Sequence, residues 1–128
     1  MPPEDTAPTN AVERAIVDGR AGRVDSRSVA EAVWVAPLIV PSGVPAQGLH
    51  ELAPIIFDRE GVPMIAVFSD PSRVQELAAE APYFIVLSGR ELMTRMTPGH
   101  GLVINPRTLP IGMEISPEGV AETVQTFA

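Results

Sequence analysis

The sequence predicts one α/β domain, an α+β sandwich in which helices pack on a mixed β-sheet of about five to six strands. Three observations carry this reading. Apolar residues recur at helical spacing towards both ends of the chain, as Val12, Ala15, Ile16 and Gly19 and again as Val120, Val124 and Phe127. Between them lie short runs rich in β-branched and aromatic residues, such as Tyr83–Leu87 and Leu102–Ile104. The length, 128 residues with 45% hydrophobic content, suits a single core that needs no disulfide or metal staple.

The first nine residues, with Pro2, Pro3 and Pro8 among polar neighbours, offer nothing to bury, so 1–9 is expected to be a disordered arm and 10–128 the domain. A helix is predicted to start at Asn10, with Glu13 closing a capping box, and to end near Gly19 and Gly22. A second short helix fits Ser26–Ala32, followed by a strand at Val33-Trp34-Val35-Ala36. From Pro37 to Pro54, prolines and glycines every few residues predict a long connection without ladders. Ile55–Phe57 and Met64–Phe68 then read as a hairpin around Asp58–Gly61. Asp70 and Pro71 open a helix whose stripe is Val74, Leu77, Ala78 and Ala81. Tyr83–Leu87, apolar on both faces, is predicted to be an interior strand. Ser88 and Glu91 form a capping box for a helix through Met96. Leu102–Ile104 is a strand, Met113–Ile115 an edge strand, and Ser116-Pro117 begins the last helix.

Charge and composition exclude several functions. All nine basic residues are Arg, against 16 acidic ones, for a net charge of −7. Such a surface repels phosphate backbones and anionic headgroups, so neither nucleic acid nor a membrane surface is the expected partner. Without Cys there is no thiolate nucleophile, and without Lys no Schiff base or phosphate-loop lysine. The amino terminus, acidic and Pro-rich, is unlike a signal peptide, and the longest apolar run falls far short of the ~20 residues of a membrane span. A cytoplasmic location is the expectation.

Candidate chemistry is sparse. His50-Glu51 begins like a zincin motif, but Pro54 occupies the place of the second histidine. His100 lies between two glycines, which reads as an exposed turn rather than a dinucleotide fingerprint. Ser88 stands where α/β-hydrolases place a nucleophile, yet Val86 occupies the position of the preceding glycine, and capping explains the serine. Arg90, one turn into that helix, is a candidate anion contact. Trp34 is expected in the core or at a groove edge, where its indole N–H finds a partner. No catalytic residue, metal site or cofactor is expected from these patterns.

Five blocks in order resemble the N-terminal domain of the SseB family. They are Asn10–Ile16, the hairpin Pro54–Ser69, the stretch from Tyr83 to Ser88-Gly89-Arg90-Glu91-Leu92, Gly101–Pro106 and Gly112–Glu118. The resemblance covers roughly residues 10–125. The family is named for an enhanced-serine-sensitivity phenotype, and a link to a rhodanese-type sulfurtransferase has been suggested. It transfers no catalytic residue, and roles tied to the further C-terminal domain of longer members are not implied.

The expected function is a non-catalytic interaction or regulatory domain that offers a sheet edge or helix groove to a protein partner, with a homodimer among the assemblies open to it. Trp34, Leu49, Leu52 and Arg90 are the candidate surface, centred on the segment Pro41–Ala53. A sensor of a small anion at Arg90 is the alternative, and an uncharacterised enzyme the third.

Overall fold

The computed structural model describes residues 7–48, 51–74, 81–106 and 111–128. The elements are α1 (Ala11–Arg20), α2 (Ser26–Val35), β1 (Pro37–Ser42), β2 (Ile56–Arg59), β3 (Val62–Val67), β4 (Tyr83–Ser88), α3 (Gly89–Arg95), β5 (Gly101–Ile104), β6 (Met113–Ile115) and α4 (Pro117–Phe127). The fold is α+β, and its six strands fall into two sheets. One orders as β2-β3-β5-β6 and the other is the pair β1-β4. Within the larger sheet only β3 and β5 run parallel. A bridge between Ile39 and Phe68 joins the two sheets.

The hairpin forms as expected, with Ile56 opposite Ile65 and Phe57 opposite Met64. Its two-residue turn, Glu60-Gly61, has positive φ at both positions, the geometry that matches strand twist. Met113–Ile115 is the edge strand of the larger sheet, also as expected. One core joins both sheets to the helices, running from Val12 and Ile16 through Val33 and Leu38 to Leu92, Leu102 and Ile104.

Three expectations are corrected. The stretch Val33–Ala36 is no strand, because α2 continues to Val35. Val29, Val33 and Trp34 share the buried face of that helix, and this tertiary burial overrides the β-branched composition. Ala36 then turns extended, as the residue before Pro37 must. The strand comes after it, so the connection predicted from Pro37 starts with six residues of β1. The prolines in β1 cost no bond to β4. Ile39 exchanges both backbone groups with Phe68, so residues of its parity, Pro37 and Pro41 included, face away from β4.

The third correction concerns Tyr83–Leu87, which is not interior. As β4 it pairs with β1 alone, and Tyr83, Phe84 and Val86 are 45%, 49% and 53% exposed. Only Ile85 and Leu87 turn towards the core. The helix expected after Asp70 is present as a short 3₁₀ turn, Pro71–Arg73, capped by Asp70, and its continuation lies outside the described residues.

Candidate interaction surface

The densest polar cluster surrounds Glu13, which is fully buried on α1. Its carboxylate accepts hydrogen bonds from Arg73 (2.9 Å to Nη2), from Thr9 N–H (2.8 Å) and hydroxyl (3.1 Å), and from the Ser69 hydroxyl. Glu13 therefore closes no capping box, although Asn10 does cap α1 by accepting from the Glu13 N–H. Asn105, buried at the end of β5 with φ 51°, donates to the Ser69 hydroxyl (2.9 Å) and the Ile111 carbonyl (3.1 Å), and accepts from Ser69 N–H. Burial pushes the Glu13 carboxyl up. The hydrogen bonds from Arg73, Ser69 and Thr9, with the Arg73 charge, outweigh it and hold the group below the usual carboxylate range. These groups are bonded to one another, so the cluster ties α1, the Pro71 turn and the end of β5 together.

Of the predicted surface residues, Trp34, Leu52 and Arg90 lie among the described residues. Trp34 is buried, with its ring 6.1 Å from that of Phe127, so it belongs to the core and not to a docking face. Leu52 is partly buried against the same core. Leu49 lies outside the described residues, as does His50. The ends of the Pro41–Ala53 segment are tied to each other. The buried Ser42 hydroxyl donates to the Val44 carbonyl and accepts from Val44 and Ala53 N–H, and Gly43 N–H donates to the Ala53 carbonyl. Arg90 is exposed on α3, but the reciprocal capping box of Ser88 and Glu91 already uses N-terminal donors of that seven-residue helix. Ser88 caps as expected.

The feature that points outward is the free edge of β4. Since Leu38, Val40 and Ser42 face β4, their partners Leu87, Ile85 and Tyr83 spend their backbone groups on β1. Gly89 N–H donates to the Ala36 carbonyl (3.0 Å), in the same parity. The N–H and C=O of Phe84 and Val86 therefore point away from β1, and no strand covers them among the described residues. The outward N–H of Ser88 is taken by the Glu91 carboxylate (3.1 Å). Phe84 and Val86 also present their side chains on the face opposite the core.

A comparison with family profiles gives a match over residues 12–122 to the SseB protein N-terminal domain. The chain belongs to this family. No curated protein and no solved structure matches it.

The described surface of this SseB domain also carries concavities. A groove of about 440 Å³ runs between α2, β6 and α4, and the Arg27 guanidinium sits there 5.7 Å from the centre of the Phe127 ring. A cleft of about 520 Å³ is lined by Leu52, Ile56, Arg95, Thr97 and His100 among others. His100 is half-buried rather than the exposed turn residue expected, with Nδ1 buried and unpartnered among the described residues. No cluster of three or more potential metal-ligating side chains occurs among the described residues. Among those residues too, no helix is long and apolar enough to cross a membrane.

Sequence reasoning missed Glu13 and Ser69 as partners, because 56 positions separate them. The one available signal was the acid at position 13, on a helix face otherwise set by Val12 and Ile16. It also missed the openness of β4, since an apolar run reads the same whether one or both faces are covered.

Proposed function

We propose that this SseB domain is a non-catalytic protein-interaction module, acting in the cytoplasm, whose docking element is the free edge of β4. The observation that carries the reading is the pair Phe84 and Val86, with outward backbone groups and half-exposed apolar side chains on one uncharged strand. Unblunted edges of this kind are sites of strand addition, in which main-chain bonds give affinity and alternate side chains give specificity. The groove beside Phe127 is the lesser candidate, because Arg27 and Glu114 on its rim already engage Phe127 and Arg59. The absence of chemistry is supported by the fate of the best nucleophile candidates. Ser88 is held by its cap, and Ser69 is buried between Glu13 and Asn105.

The test is capture from cell extract by the wild type and by Val86→Pro. Proline there removes an N–H that makes no bond to β1, so the ribbon persists while strand addition is blocked. Proteins retained by the wild type and lost by the variant support the reading. Identical captured sets from both overturn it, as does labelling of Ser69 or Ser88 by a fluorophosphonate.

A further inference from the structure

The same edge is complementary to itself. Resting on the reading of β4 as the docking element, we infer that its occupant is a second copy of this chain, joined through an antiparallel β4–β4 pair about a two-fold axis. In such a pair, directly opposite residues lie on the same face of the sheet, so only registers that centre on a residue keep both cores on one side.

Three registers bring Phe84 and Val86 into play. Centred on Val86, Phe84 meets Ser88, whose N–H is already bonded to Glu91. Centred on Phe84, Val86 meets Pro82, which has no N–H for the Val86 carbonyl. Centred on Ile85, Phe84 of each copy meets Val86 of the other, and both residues exchange both bonds. Every outward group of Phe84 and Val86 is then paired, and an aromatic residue faces a β-branched one on the open face. Although the chain carries a net charge of −7, Tyr83–Ser88 holds no charge, so the contact itself brings no like charges together. The segment also lacks a charged or proline residue that would blunt an edge from within.

Sedimentation of the full chain and of Val86→Pro over a range of concentrations tests the pairing, and cysteine cross-linking tests its register. The native chain has no cysteine, so every disulfide reports an introduced pair. Opposite Cα atoms in a hydrogen-bonded pair stand about 5.5 Å apart, within disulfide reach. The expected results are a wild-type dimer that Val86→Pro dissolves, and cross-linking in a mixture of Phe84→Cys with Val86→Cys but not in either alone. A wild type that stays monomeric overturns the inference, and so does a dimer that Val86→Pro leaves intact. Cross-linking of either single variant alone overturns the register centred on Ile85. If the wild type is monomeric while Val86→Pro still loses captured proteins, the second copy is refuted and the docking edge stands. If capture is also unchanged, both fail. Should Val86→Pro unfold, the cysteine mixture decides by itself.

Discussion

The Glu13 cluster and the β4 edge are both built from groups that want hydrogen bonds, and they are treated in opposite ways. Around Glu13 the donors of Thr9, Ser69 and Arg73 converge on a carboxylate that is itself fully buried. Along β4 the backbone groups of Phe84 and Val86 have no partner among the described residues, and the apolar side chains beside them are half open. The cost of an unmade bond explains the contrast. A buried orphan is penalised by the full desolvation of the group, whereas an edge group in contact with water loses little until a partner replaces that water. The first region therefore ties parts of the fold together, and the second keeps bonding groups that no described residue uses.

The sharpest way to break this comparison is to remove the carboxylate. Glu13→Ala takes the carboxylate partner away from Arg73 and leaves the donors of Ser69 and Thr9 without their acceptor. The expected loss is about 3 kcal/mol, the lower end for breaking a buried pair since Arg73 is not fully enclosed. Urea unfolding measures it, and a loss below that of an ordinary surface change would mean the cluster contributes nothing.

Gly89→Ala comes next. A methyl group there would stand 2.0 Å from the Val33 carbonyl oxygen, where α3 crosses the end of α2. Backbone must move, so a cost of about 1–3 kcal/mol is expected, with a lowered thermal midpoint as the readout.

Acidification probes the cluster without removing an atom. Because the folded state holds the Glu13 carboxyl below its unfolded value, its contribution is fully present above the unfolded pKa and is lost as pH falls through the folded one. Stability is expected to drop through the acidic range, and the gap between wild type and Glu13→Gln to narrow in the same window. A gap independent of pH would show that the charge of Glu13 has no part in the cluster.

Smaller effects sharpen the other side. Ser88→Ala deletes the cap at the junction of β4 and α3 and should cost about 1 kcal/mol by chemical denaturation. Val86→Thr should change the stability of the dilute protein by less than about 0.5 kcal/mol, since the side chain is half exposed and touches no sealed group. A large loss at Val86 would place the residue in the core and remove the basis for an open edge.

The sequence by itself determined whatever rests on near neighbours. The caps at Asn10, Asp70, Ser88 and Ser116 all form, because an N-cap side chain needs only the backbone two or three residues on. The hairpin was legible for the same reason, as Gly61 permits a positive φ beside alternating apolar residues. Family membership was legible from the order of local blocks. Tertiary structure alone decided three things. Burial of Val33 and Trp34 made a helix of β-branched residues, and only the packed core supplies that burial. Glu13 became a buried hub instead of a capping side chain, because Ser69 and Arg73 reach it across more than fifty residues. The strand Tyr83–Ser88 took an edge and not the interior, since its apolar pattern records which residues can be buried, while the neighbours that bury them come from elsewhere in the chain.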